Sequence, residues 1–296
     1  MSTSRFFGVY AILLTPTTSD ERVDVPALKA ETEHAIAGGV HGLVVLGSNG
    51  EGPLLEREEQ EKAIAAVVAA ARGRVPVLVG TGEPGTNLAV QSTLRAKRLG
   101  ADGALLCPPF YIPMTQEQVI RHYETVVERC DFPIVLYNYP GVTKVKIELP
   151  TVERLAQDPR IVGIKDSGGD FAYHQALLAM ERTEFTVFQS WEDFMHAALW
   201  SGSEGSMSPT PSLVPEYSVG LWNAIQEGDR TKALSIHRQL MAFVKLVTRD
   251  PWPAGWKAAM HLLGFGSPAV CAPNTALSPE KIEQLRKDMQ ALGILR

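Results

Sequence analysis

Cysteine is scarce in this chain of 296 residues. Cys107, Cys130 and Cys271 are odd in number and far apart, which excludes a disulfide framework and leaves reduced core thiols. Histidine gives no metal site either. None of the seven falls in a His-x-His or His-x-x-x-His spacing and no Cys-x-x-Cys occurs, so no metal is expected. No apolar run is long enough to cross a bilayer, and residues 1–7 lack the apolar stretch of a signal peptide. A cytoplasmic protein with no membrane contact is the expectation. Basic residues do not dominate: 28 Lys and Arg against 33 Asp and Glu give a net charge of -5, which argues against nucleic acid as a partner. The nucleophile elbow G-x-S-x-G is also missing, so a hydrolase of that type has no support.

What is present is a repeated alternation. A hydrophobic fraction of 45% and a charged fraction of 21% describe a globular protein. Apolar runs of strand length occupy 9–14, 42–46, 75–79, 103–106, 134–137, 161–165, 185–189 and 205–207. Each is followed by a segment of helical period, at 26–37, 56–72, 87–99, 116–129, 147–157, 171–180, 192–200 and 213–226. Such a series predicts an α/β fold with a parallel sheet, and eight strands close a (β/α)8 TIM barrel. An open doubly wound sheet is the alternative, but no single switch point stands out. After Gly228 the strands stop. Helical periods at 231–247 and 254–263, and a third helix opened by Ser278-Pro279 with the stripe Ile282, Leu285, Met289 and Leu292, predict a C-terminal helical appendage. The expected division is a barrel domain, 1–227, and a helical domain, 228–296.

In a barrel the reactive face lies at the C-terminal ends of the strands. Ile161-Val162-Gly163-Ile164-Lys165 ends on a lysine there. Taken alone, a strand-end lysine snorkels to solvent. Inside an apolar pocket its ammonium loses solvation, its pKa falls, and a neutral amine becomes available to attack a ketone. Strict alternation puts Ile161, Gly163 and Lys165 on one side, with Gly163 leaving room for the lysine. Tyr137, at the end of the neighbouring strand, is placed to relay protons to that amine; its bland reading is a core tyrosine with a satisfied hydroxyl. The turn Gly47-Ser48-Asn49-Gly50-Glu51-Gly52 has small residues that leave N–H groups open to a carboxylate, with Ser48 able to join the relay. An ordinary turn has the same composition. Gly80-Thr81-Gly82-Glu83-Pro84-Gly85 formally matches G-x-G-x-x-G, but it sits in the third unit and Glu83 would face a pyrophosphate.

Three motifs together, Gly47-Ser48-Asn49-Gly50-Glu51, Tyr137-Asn138-Tyr139-Pro140 and Gly163-Ile164-Lys165-Asp166, resemble the dihydrodipicolinate synthase and N-acetylneuraminate lyase family of Schiff-base aldolases. The likeness runs over essentially the whole chain. It implies a cofactor-independent class I carbon–carbon lyase in which Lys165 forms an imine with pyruvate or another 2-oxo acid and Tyr137 relays protons. It also implies that Tyr111 enters a neighbour's active site and that the assembly is a homotetramer, a dimer of dimers. The catalytic set is then Lys165, Tyr137, Ser48 and Tyr111, and the substrate-binding set Ser48, Asn49, Gly50, Ser190, Glu192 and Met207. An aldehyde is the expected second partner. The synthase branch carries an arginine where this chain has Val142, which leaves no bidentate clamp for a second carboxylate there. Gly47-Ser48-Asn49-Gly50-Glu51, Lys165-Asp166-Ser167-Gly168-Gly169-Asp170 and the ending Leu277-Ser278-Pro279-Glu280 together most resemble the 4-hydroxy-2-oxoglutarate aldolase branch, which gives a lean toward it. The alternatives kept open are dihydrodipicolinate synthase itself, a dehydratase or deaminase of a hydroxylated 2-oxo acid, and a barrel that binds a small acid without turning it over.

Overall fold

The computed structural model describes residues 5–180 and 184–295; Met1–Ser4, part of the N-terminal reading above, lie outside them. Eight parallel strands close a barrel in sequence order. They are β1 (Gly8–Ile12), β2 (Gly42–Val45), β3 (Val77–Gly80), β4 (Gly103–Leu106), β5 (Ile134–Asn138), β6 (Ile161–Asp166), β7 (Thr186–Gln189) and β8 (Gly205–Ser208). Tyr10 of β1 opposite Met207 of β8 completes the ring. Alternation along each strand sorts side chains into two cores. Tyr10, Ile12, Val44, Leu78, Leu105, Val135 and Phe188 fill the barrel, whereas Ala11, Leu43, Val45, Val77, Ala104 and Leu136 face the surrounding helices.

β6 departs from strict alternation. Ile134 pairs with Ile161, but the next residue, Val135, pairs with Gly163, so Val162 is an extra residue. The bulge flips the faces: Ile161 joins the outer core while Val162 packs toward the inner one. Ile161 therefore does not share a side with Lys165, contrary to the simple period. Gly163 also has another reason to be glycine. A Cβ there would lie 2.5 Å from the carbonyl oxygen of Thr186 on β7, so the residue serves the close approach of two backbones. Gly163→Ala is expected to cost about 1–3 kcal/mol, the usual range for overpacking. A urea titration checks it, and an unchanged midpoint would remove this account.

Helix boundaries depart from expectation where proline intervenes. The last barrel segment is two helices, Thr210–Leu213 and Pro215–Gln226, because Pro215 cannot continue the first. Beyond them lie Arg230–Val247, Ala254–Leu262 and Pro279–Ala291. Asp229 caps the first of these, accepting from Lys232 N at 2.9 Å, and Ser278 caps the third. Leu285 and Met289 are buried as the stripe requires, but the helix ends at Ala291 and Leu292 stands 38% exposed. These helices share one apolar cluster with Leu14, Met195, Leu213 and Leu221, which seats the appendage against the helices that follow β7 and β8. No helix among the described residues is long and apolar enough to cross a membrane.

Candidate active site

β5 and β6 are in register so that Tyr137 lies opposite Lys165. Lys165 is only 2% exposed, and its Nζ sits 4.0 Å from the centroid of the Tyr137 ring. Burial pushes the amine down to about 7, and the Glu192 carboxylate works against that fall. The Tyr137 phenol is pushed up by burial, opposed by the hydroxyl side chains of Ser48 and Ser167. A neutral amine beside a protonated phenol is the pair that carbonyl addition needs.

The strand ends are locked from behind. Asn138 Nδ2 donates to Asp166 Oδ1 at 2.9 Å, and Asn138 Oδ1 accepts from Ile147 N at 3.1 Å. Asp166 Oδ1 also accepts from Gly168 N at 3.0 Å, and Asp166 Oδ2 lies 3.3 Å from His174 Nδ1. His174 Nε2 is 2.6 Å from Ser203 Oγ. Because Asn138 and Asp166 directly follow Tyr137 and Lys165, this network fixes the direction of both reactive side chains.

The loop after β2 makes a one-turn helix, Ser48–Gly50. Its closing bonds use the N–H groups of Gly50, to Gly47 O at 3.1 Å, and of Glu51, to Ser48 O at 3.0 Å. The N–H groups of Ser48 and Asn49 head the turn, outside those bonds. Gly50 is glycine because a Cβ would meet Leu13 O at 2.7 Å. A cavity of about 370 Å³ opens here, walled by Ser48, Glu83, Cys107, Tyr137, Tyr139 and Val142 among others.

Of the expected residues, Ser48 and Tyr137 thus share a cavity wall and Lys165 lies against Tyr137. Asn49 is half-exposed, with Oδ1 accepting from Trp252 Nε1 at 2.9 Å. Met207 is fully buried inside the barrel, in the same cluster as Tyr137. Ser190 N donates to Asp166 O at 3.2 Å, which ties the loop after β7 to β6. Glu192 is buried, accepts from Thr210 Oγ1 at 2.6 Å, and is pushed up in pKa by that burial. Tyr111 is not brought to the cavity of its own chain: it is 92% exposed, on a backbone with φ of 81°.

Two wall residues were not read as part of this site in the sequence. Alternation on β4 places Cys107 inward with Leu105, a signal available but masked by its classification as a core thiol. Burial raises that thiol to about 12, so it is no nucleophile. Glu83 belongs to the Gly80–Gly85 loop, whose first two glycines serve packing: a Cβ on Gly80 would lie 2.1 Å from Leu46 O, and one on Gly82 would lie 2.3 Å from Cys107 Sγ. Nothing in that use calls for a pyrophosphate.

A closed (β/α)8 barrel with a buried lysine and tyrosine paired at the mouth is the framework of a class I lyase. The chain belongs to the dihydrodipicolinate synthetase family, whose model matches residues 5–292. It is 35% identical over 294 residues to the 4-hydroxy-tetrahydrodipicolinate synthase of Kosmotoga olearia, covering 98% of this chain and 100% of that one. The synthase of the same name from Methanoculleus marisnigri is 36% identical over 285 residues, covering 95% and 98%. Among solved structures, a prophage protein of the dihydrodipicolinic acid synthase family from E. coli K12, in complex with pyruvate, superposes with a TM-score of 0.92 at 30% identity, covering 98% of this chain and 99% of that one. The dihydrodipicolinate synthase of Aquifex aeolicus gives 0.92 at 32% identity, covering 98% and 99%. These relatives favour the synthase alternative over the lean toward 4-hydroxy-2-oxoglutarate aldolase.

Proposed function

We propose that this lyase joins pyruvate to an aldehyde, or reverses that step, through an imine on Lys165. The observation that carries the reading is the buried Lys165 amine held over Tyr137. The neutral amine adds to the C2 carbonyl of pyruvate, and Tyr137 supplies the proton that lets the carbinolamine lose water. The resulting iminium withdraws electrons from C3, which gives up a proton and becomes an enamine. Attack of that carbon on the aldehyde forms the new bond, and hydrolysis returns Lys165. Ser48 and Asn49 receive the pyruvate carboxylate, Ser48 also extending the relay from Tyr137. Gly50 keeps their turn close to β1, and Ser190, Glu192 and Met207 belong to the surrounding contact set. Tyr111, exposed beside Ile112, completes the site of a second copy in a dimer of dimers.

The synthase reading, with aspartate semialdehyde as the aldehyde, follows the relatives' names. Val142 supports a second reading, an aldehyde without a carboxylate. It lines the cavity and is 57% exposed, so an apolar branched side chain stands where the synthase branch places an arginine. Borohydride trapping with pyruvate and peptide mapping tests the chemistry: the label belongs on Lys165, and a label elsewhere ends the proposal. A panel of aldehydes, aspartate semialdehyde included, separates the two readings by kcat/KM.

The amine's low pKa adds a sign. Trapping should accelerate as pH rises through about 7 and level off above it, because only the neutral amine attacks. An ordinary exposed lysine would place that rise near pH ~10.4, and such a profile would contradict the buried site.

A further inference from the structure

Two side chains of the C-terminal appendage end on the loop after β2. Trp252 Nε1 donates to Asn49 Oδ1 at 2.9 Å. Lys257 is fully buried, and its Nζ lies 3.1 Å from Glu51 Oε2, with Glu51 itself 1% exposed. The same ammonium donates to Thr15 O at 2.7 Å and Leu14 O at 3.3 Å, beyond the end of β1. The other Glu51 oxygen accepts from Cys271 N at 2.9 Å and Asn274 Nδ2 at 3.1 Å. One cation thus joins the β1 loop, the β2 loop, helix Ala254–Leu262 and, through Glu51, the segment at 271–274.

The joined backbone is unusual. Thr15, Leu46 and Glu51 all have left-handed backbones, with φ of 52°, 59° and 53°. For non-glycine residues that conformation is unfavourable and persists only where neighbouring contacts impose it. Left-handed residues on both sides of Ser48 and Asn49 fix where their N–H groups point. A buried ion pair adds little net stability, because desolvating both charges offsets their attraction. It does impose one geometry, since any other leaves a charge unpaired in a dry interior.

We infer that Lys257 and Trp252 are positioning residues for the pyruvate carboxylate, so that the C-terminal appendage is a working part of the barrel's binding loop. This rests on the reading of Lys165 and the Ser48–Asn49 turn given above. Glu51 holds the turn from its C-terminal side and Trp252 holds Asn49 directly. The residues act through the loop and need no contact with substrate.

The test is the pyruvate dependence of borohydride trapping on Lys165, with steady-state kcat and KM alongside. Trp252→Phe removes one N–H from a side chain that is 47% exposed, so its fold is not at issue. Its half-saturating pyruvate concentration should rise by about tenfold, the worth of one well-made hydrogen bond, and by more than kcat falls. Lys257→Met should raise it further. A wild-type protein with no label on Lys165 overturns the reading of the site and this inference with it. A labelled wild type whose half-saturation is unmoved in Trp252→Phe overturns the inference alone, and that variant decides the matter if Lys257→Met fails to fold. A matching fall in kcat with KM constant also overturns it, because that pattern belongs to lost active protein.

Discussion

Lys165→Met is expected to abolish turnover, by about four orders of magnitude or more, and to leave a protein at least as stable as the parent. On the proposed mechanism the loss is large because the lysine is the covalent partner. Tyr137, Ser48 and Asn49 would still bind pyruvate, but binding without the imine provides no electron sink at C3. The stability side follows from linkage. In the folded chain, burial holds the amine at about 7; once unfolded it returns to the ordinary lysine value near ~10.4. Between those values the unfolded chain binds more protons, so stability rises with pH across that window. The penalty is complete below about pH 7. Methionine fills a similar volume without a charge to desolvate, so the variant should melt higher than the parent in acid and converge with it in alkali. Calorimetry at the two ends of the window reads this directly. A variant that melts lower at every pH would mean that Lys165 is a structural cation, and measurable turnover would remove it from the chemistry.

The contrast with Lys257 shows what kind of lysine the sequence can reveal. Lys165 follows an apolar run and precedes glycines, so strand periodicity alone carries it to the barrel mouth. Tyr137, Ser48 and the eight strands were legible for the same reason: each is fixed by a local pattern, and closure of the sheet brings the patterns together. Lys257 sits in Trp256-Lys257-Ala258-Ala259, where an isolated charge on a helix reads as solvated. Its burial depends on Glu51, 206 positions away (257 − 51), and no local period encodes that distance. Trp252 is hidden in the same way, since its partner Asn49 lies 203 positions away (252 − 49). The β6 bulge escaped for another reason. Ile161 and Val162 are both apolar, so the sequence carries no mark of which one faces inward, and only the carbonyl of Thr186 reveals why Gly163 must lack a side chain. Long-range polar pairs and backbone contacts are thus the parts of the site that composition and period do not express.

Tyr137→Phe should lower kcat by about a hundredfold or more, within the range for losing a positioned acid–base group, with a much smaller change in the pyruvate half-saturation. Phenylalanine preserves the ring against which the Lys165 amine rests at 4.0 Å, and it keeps the stack on Tyr139, whose centroid is 5.7 Å away. Only the hydroxyl goes, and with it the influence of the Ser48 and Ser167 side chains that opposes the phenol's raised pKa. Carbinolamine dehydration then has to draw its proton from water instead of from a positioned phenol. The Ser48 hydroxyl loses a partner but keeps its backbone, so the carboxylate turn stays formed. The variant also separates two roles for the ring. If the tyrosine mainly supports the amine by packing, borohydride trapping will proceed at the parental rate and kcat will hold. If it moves the proton, single-turnover imine formation slows as much as kcat does, while Lys165 keeps its low pKa and the rise through about pH 7 persists. Ser48→Ala probes the same chain from its far end. Its effect should be smaller than that of Tyr137→Phe and should largely vanish in the double variant, because a relay broken at the phenol has nothing further to lose at the serine.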